Sequence, residues 1–276
     1  MGPACRALHI SRASYYQWRS GTAGGRVAEN QRIAQLVQEI HRESPDKGYR
    51  RIRDDLDKYY HTPVNDKRTL RICRCLGIQS AVKHAPHGCT RVASSPRQLA
   101  ENVLNRQFYA DRPNEKWLTD VTEFHYYTGT NMRKLYLSAI LDLCDRRIVS
   151  FVIRDTNDAA LVHRTLAQAL EGNPGARPLL HSDRGSAYTT QIFHDKLAAA
   201  GITQSMSRVG KCIDNGPMEG FWGILKRERY YGRRFTSREQ LVKMIQEYIT
   251  YYNFHRLQRG LGVRTPMEVH DRLLAA

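Results

Sequence analysis

The sequence has no uninterrupted apolar run of the ~18 residues that a membrane-spanning helix needs. Met1 to Ile10 carries no apolar stretch of signal-peptide length either. A membrane partner therefore has nothing to hold, and a cytoplasmic protein is expected. Cysteine is sparse and irregular, at positions 5, 73, 75, 89, 144 and 212, with no spacing that reads as a disulfide framework. Cys73, Cys75, His84, His87 and Cys89 do crowd together. Their C-x-C and H-x-x-H-x-C spacings are not those of the common zinc modules. The plainer reading packs Cys73 inside a helix and leaves the others facing solvent. Acidic residues are also scarce, with 27 Asp+Glu against 43 Lys+Arg and a formal net charge of +16. Such an excess calls for a polyanion, and without a membrane segment nucleic acid is the partner that remains.

The acidic deficit is not uniform. Residues 1–100 carry 18 basic and 8 acidic side chains, residues 101–220 carry 14 of each, and residues 221–276 carry 11 and 5. A near-neutral middle between two basic arms suits an enzyme that grips DNA on both sides of a carboxylate site. With 276 residues, 41% of them hydrophobic, the chain can build two modest domains.

The amino-terminal arm reads as helical. Ser11 can cap a short helix carrying Tyr15, Tyr16 and Trp18, the end of a helix-turn-helix with too little chain before it to complete the motif. Ser20 to Gly25 is a Gly-rich break. From 28 to 42, Ile33, Leu36, Val37 and Ile40 share one helical face. A second helix is expected over 49–60 with Ile52 and Leu56 inward, and a third over 66–76, closed by Gly77. The third presents Arg68, Arg71 and Arg74 on one broad face, with Leu70 and Cys73 on another. A helix pair whose second member is Arg-rich suits a DNA-reading helix-turn-helix, with Arg50 and Arg51 as further contacts. The alternative is a solvated basic face on a small bundle. The expected division is a partial motif at 1–25, a helical DNA-binding domain at 26–82, a linker at 83–104 rich in Pro, Gly and Ser, a catalytic core at 105–235 and a basic helical extension at 236–276.

Past the linker the periodicity changes. Strands are expected at 117–127, 135–141 and 148–153, a helix at 158–171, a strand at 178–182, a helix at 189–200, a strand at 202–206 and helices at 217–229 and 237–254. The order β-β-β-α-β-α-β-α is an α/β layered fold.

Three acids stand out. Asp120 interrupts the strand Trp117–Phe124, where aspartate is a poor residue and a buried charge is costly unless paired or metal-bound. The alternative puts it on the solvent side of an edge strand. Asp183 follows the apolar run Leu179-Leu180-His181-Ser182, at the strand end where α/β proteins bind ligands. Alone it reads equally as a turn Asp before Gly185. Glu219 falls about three residues into a helix opened by Pro217, and it resembles half of a capping box as much as a ligand. Lys226, seven residues on, shares its face, while Phe221, Trp222 and Leu225 take the apolar side. Asp142, Asp145 and Glu123 read as surface or turn acids, and His181 as a packed strand histidine.

Together the three acids, with 35 residues between Asp183 and Glu219, resemble the DDE transposases and retroviral integrases. More closely, the chain resembles the OrfB product of the two-reading-frame insertion-sequence family, the IS-three group. The likeness rests on Pro113-Asn114 before Trp117, Thr119-Asp-Val-Thr122, His181-Ser-Asp-Arg-Gly185, Asp214-Asn215 with Glu219, Leu225-Lys226 before Glu228, Tyr252-Asn253, Arg256 and Thr265-Pro266. It departs only at the amino terminus, where family members usually carry a full helix-turn-helix and leucine zipper through fusion with the first-frame product, OrfA.

The resemblance implies a ribonuclease-H-like integrase core, a mixed five-stranded sheet flanked by helices, behind a small helix-turn-helix-like domain. It implies two Mg²⁺ ions, replaceable by Mn²⁺, with Asp120 bridging both, Asp183 on one and Glu219 on the other. Cleavage at an element's terminal inverted repeats frees a 3′-hydroxyl, which is then joined to target DNA. In this family the two ends are usually joined into a circle first. Lys226, Arg227 and Arg229 are candidates to grip the terminal DNA. OrfA or a fusion with it, and a homodimer or larger assembly on DNA at the nucleoid, complete the expected partners. Two other readings stay open at this point, a plain nuclease of the same fold and a DNA-binding regulator derived from a transposase.

Overall fold

The computed structural model describes residues 2–20, 25–82, 100–209 and 211–275. Most of the expected 83–104 linker, most of the Ser20–Gly25 break, and His84, His87 and Cys89 lie outside the described residues. Among the described residues Cys5, Cys73, Cys75 and Cys144 are free thiols, with Cys73 buried and Cys75 exposed. Contacts divide the chain into two compact units, residues 1–83 and 84–276.

The first unit is helical: α1 (Gly2–Ala7), α2 (Arg12–Arg19), α3 (Gly25–Glu43), α4 (Tyr49–Lys58) and α5 (Asp66–Cys75). Ser11 caps α2 by accepting from the Ser14 amide at 3.0 Å. Asn65 caps α5 in the same way through the Arg68 amide at 2.7 Å. Such caps satisfy amides that the first turn leaves without partners. The core is Ile33, Val37 and Ile40 of α3 against Ile52 and Leu56 of α4 and Ile72 and Cys73 of α5. Leu36 and Leu70 are only partly buried. Gly77 closes α5 at φ +66°, a left-handed conformation that a Cβ disfavours.

The second unit is built on one sheet of order β3-β2-β1-β4-β5, with β1 (Lys116–Thr128) in the centre. β2 (Asn131–Asp142) and β3 (Ile148–Arg154) continue it as an antiparallel meander. β4 (Leu179–Ser182) runs parallel to β1, and β5 (Thr203–Met206) parallel to β4. Side chains alternate across β1. Leu118 and Phe124 face a layer formed by α8 (Gly216–Leu225) and α9 (Arg238–Phe254). Trp117 faces the opposite layer, formed by α6 (Ala159–Glu171) and α7 (Gln191–Ala199). The arrangement is a mixed five-stranded α/β layered fold, in the expected order.

Three expectations change. The helix expected to run from 217 to 229 ends as an α-helix at Leu225 and passes into a π-turn over Lys226–Tyr230, where the Tyr231 amide donates to the Lys226 carbonyl at 2.7 Å. The 236–276 segment, expected as an extension, instead contributes Leu241, Ile245, Tyr248, Ile249 and Tyr252 of α9 to the larger core. A further helix, α10 (Pro266–Leu274), carries a complete capping box between Thr265 and Glu268.

Candidate active site

Asp120 lies on the central strand and its even-numbered position points to the α8–α9 side, which removes the edge-strand alternative. Both of its oxygens are held. Oδ1 accepts from the Val121 amide at 2.8 Å and Oδ2 from the Trp222 indole N–H at 3.0 Å. The parallel register pairs Leu118 with His181. Carried on two residues, it sets Asp120 beside Asp183, just past the end of β4. Asp183 Oδ1 accepts from the Gly185 amide at 2.8 Å, so the turn reading of this acid holds as well. A Cβ on Gly185 would stand 2.9 Å from that same oxygen, which is why glycine fits there.

Glu219 is exposed in the first turn of α8. Its capping-box alternative falls, because the N-cap residue Asn215 makes no side-chain cap hydrogen bond. Asn215 instead donates from Nδ2 to the Thr119 carbonyl at 3.2 Å, fastening the start of α8 to β1.

The three acids feel one another. Burial, then the charge of Asp183, pushes the Asp120 carboxyl up to about 7, against the Val121 and Trp222 N–H groups, with Glu219 adding to the rise. Glu219, though its side chain reaches solvent, is raised by partial desolvation and then by the charge of Asp183. Desolvation by the surrounding protein raises Asp183 as well, opposed by the Gly185 amide. Asp183 thus raises the proton affinity of both Asp120 and Glu219, the kind of carboxylate neighbourhood that a bound cation would relieve. Their oxygens are hard donors, which suit Mg²⁺ and Mn²⁺ rather than a soft metal. Among the described residues no three His, Cys, Asp or Glu side chains are gathered as a group that could hold a metal ion.

The surroundings explain how the acids are held. Tyr188, buried beneath the site, makes a 3.3 Å hydroxyl contact with Thr119 and feels the charges of Asp120 and Asp183. His181 is packed, as expected, between the Ser205 and Ser207 hydroxyls at 2.8 and 3.0 Å, and burial brings its pKa down to about 4. Lys226 turns toward β1, its ammonium 5.1 Å from the Phe124 ring centre, and burial lowers its proton affinity against the pull of Glu123 and Asp120.

Two acids expected at the surface are fully buried. Asp142 accepts from the Asn114 and Cys144 amides and the Trp117 indole, at 2.6, 2.8 and 3.3 Å. Asp145 is bridged by Arg147 at 3.3 Å and His270 of α10 at 2.7 Å. The charged triplet 145–147 is a buried knot because α10, far away in sequence, covers it. Glu123 is half-buried, bonded to His125 and Lys134. Asp214, which drew attention only as a motif residue, is buried and accepts from Arg208, Arg106 and Asn102 at 2.7–3.1 Å. Trp222 lies in the core as expected, but its bond to Asp120 was not anticipated. Its place three residues after Glu219 was the available signal.

The basic candidates divide. Arg71 and Arg74 are exposed on α5. Arg68 is tied to Asn30 at 2.9 Å and Glu29 at 2.9 Å. Arg51 pairs with Asp46 at 3.1 Å, and Arg50 lies 5.5 Å over the Tyr49 ring. Arg227 folds back against Gly223, and Arg229 stands 5.5 Å over the Tyr251 ring.

The chain is similar to known proteins over most of its length. Residues 110–212 and 200–266 match two models of an integrase core domain, and residues 28–86 match an HTH-like domain. A putative transposase InsK for insertion sequence element IS150 of Escherichia coli K12 is 36% identical over 270 residues, covering 97% of this chain and 92% of that protein. An uncharacterized transposase-like protein of Haemophilus influenzae is 40% identical over 211 residues, covering 76% and 95%. In fold, the chain is similar to one in the cryoEM structure of a simian T-cell lymphotropic virus intasome in complex with PP2A regulatory subunit B56 gamma. The TM-score is 0.50 at 19% identity, over 86% of this chain and 74% of that one.

Proposed function

The chain belongs to the integrase-core transposases of insertion sequences, and from that premise we propose that Asp120, Asp183 and Glu219 hold two divalent ions where element ends are cut and joined. What supports this reading is the parallel register that sets Asp120 of β1 beside Asp183 at the end of β4, with Trp222 of the helix that carries Glu219 bonded to Asp120. Carboxylate oxygens fit Mg²⁺, with Mn²⁺ as a substitute. Asp120, Asp183 and Glu219 would hold the ions between them, the family resemblance implying that Asp120 would be shared. When bound, such ions lower the proton affinity of the attacking oxygen and stabilise the leaving one.

The remaining work falls to the chain itself. Val121 and Trp222 fix the Asp120 carboxylate, Gly185 fixes Asp183, and Lys226, its ammonium over the Phe124 ring, is a cation for the scissile strand. α5 of the first unit and the basic segment after α8 bind phosphates. Water breaks a P–O3′ bond at an element end and frees a 3′-hydroxyl; that hydroxyl attacks a target phosphodiester, forming a new P–O3′ bond as the target's own 3′-oxygen leaves and takes up the proton. Two ends must meet, so a dimer or larger assembly forms on DNA, with the first-frame product as partner. The boundaries 26–82 for the DNA-binding domain and 105–235 for the minimal catalytic core belong to the same proposal.

The test is Mg²⁺- or Mn²⁺-dependent nicking and joining of DNA carrying the ends that flank the gene. Wild type gives joined products. Asp120→Asn, Asp183→Asn and Glu219→Gln keep DNA binding and lose turnover. Loss of several kcal/mol of charge stabilisation corresponds to about a thousandfold or more. Turnover retained in any of the three removes that residue from the site.

A further inference from the structure

The helix that carries Glu219 is pinned to β1 at two consecutive residues. Asn215, four before Glu219, donates to the Thr119 carbonyl at 3.2 Å. Trp222, three after it, donates its indole N–H to Asp120 Oδ2 at 3.0 Å. Positions three and four apart lie on one side of a helix, so the side of α8 bearing Glu219 is the side fastened to the strand. The indole is itself immobilised. It is 6% exposed, packed 5.0 Å from Phe221, which meets Tyr252 of α9 edge-on at 4.7 Å. The donor is therefore fixed before any ligand arrives.

Its effect falls on the geometry of Asp120. A carboxylate oxygen has two lone-pair directions. Val121 occupies one on Oδ1 and Trp222 one on Oδ2. One direction remains on each oxygen, which is what a carboxylate facing two cations requires. Without the indole N–H, Asp120 could rotate about its Cβ–Cγ bond and lose that arrangement.

We propose that Trp222 is a positioning residue that sets the Asp120 carboxylate for metal binding and holds it in register with Glu219. The proposal rests on the role of Asp120 as a metal ligand, and the experiment separates the two. Mn²⁺ binding to the full chain is measured from loss of the free-ion electron paramagnetic resonance signal, and strand transfer is measured against Mn²⁺ concentration. The variants are Trp222→Phe, Trp222→benzothienylalanine (the same shape with sulfur in place of N–H), Asp120→Asn and Leu225→Ala. Leu225→Ala loosens the same helix without touching Asp120.

Partners behind a metal ligand typically change affinity about 10–100-fold when removed. Both Trp222 variants are expected to weaken Mn²⁺ binding by about tenfold or more, raising the half-saturating Mn²⁺ while saturating Mn²⁺ restores most of the rate. Leu225→Ala is expected to lose stability but keep its Mn²⁺ affinity. Wild-type affinity in the benzothienyl variant, with Asp120→Asn unable to bind, overturns the role of Trp222 and leaves the triad standing. Equal weakening in Leu225→Ala also overturns it, because packing alone would then explain the effect. Undiminished binding in Asp120→Asn overturns the triad, and the role of Trp222 with it.

Discussion

Single atoms decide how the acidic site is held. Gly185 brings an amide to Asp183 Oδ1, and an added Cβ would lie 2.9 Å from that oxygen. Gly185→Ala is therefore expected to displace the carboxylate without unfolding the chain. A misplacement near 1 Å costs on the order of 100-fold in rate, so strand transfer should fall by about that factor while DNA affinity stays. Parallel joining and anisotropy assays check both. Asp214 shows the opposite use of an acid. Hydrogen bonds from Arg208, then Arg106, hold its carboxyl far below the usual carboxylate range, against its burial. Its folded value is depressed, so its stabilisation is fully present above the unfolded value near 4 and is lost as pH falls through the folded one. Asp214→Asn is expected to cost about 2 kcal/mol at pH 7, a figure moderated by the half-exposed arginines. The deficit should shrink as the denaturation series is carried below pH 4.

At the scale of the element, α5 separates two kinds of arginine. Arg71 and Arg74 are exposed. Arg68 spends its guanidinium on Asn30 and Glu29, binding α5 to α3. Each phosphate contact contributes close to one unit of slope in a plot of log affinity against log salt. Arg71→Ala and Arg74→Ala are each expected to reduce that slope by about one. Arg68→Ala should change the slope less and lower thermal stability more. An unchanged slope in both exposed variants would mean that another face of the unit meets DNA.

Over the whole molecule, two units each carry a hydrophobic core, Ile33 to Cys73 in the first and the two clusters around the sheet in the second. The basic excess is shared between them, with 18 basic against 8 acidic side chains in residues 1–100, 14 of each in residues 101–220 and 11 against 5 in residues 221–276. A chain beginning at residue 100 is thus expected to unfold cooperatively by calorimetry and keep Mn²⁺ binding. It should lose discrimination between element ends and random DNA, with a shallower salt dependence. Failure of that piece to fold would show that the core draws stability from the amino-terminal unit.

The sequence by itself determined what depends on neighbours along the chain. The 3.6-residue period of Ile33, Val37 and Ile40 marks α3. Alternation marks β1, caps at Ser11 and Asn65 place helix starts, and Asp120 stands out as a charge within an apolar strand, whereas Asp183 and Glu219 gain meaning only when taken with it. What it could not determine depends on partners distant in sequence. Asp142 and Asp145 read as turn acids until β2 is seen ending under Asn114 and Trp117, and α10 closing over Asp145 through His270. Trp222 read as core until its N–H was found on Asp120, 102 positions away. Local propensity fixes periodicity and caps within a few residues. Burial of a charge, and the donor that offsets it, are decided only when tertiary packing removes the water.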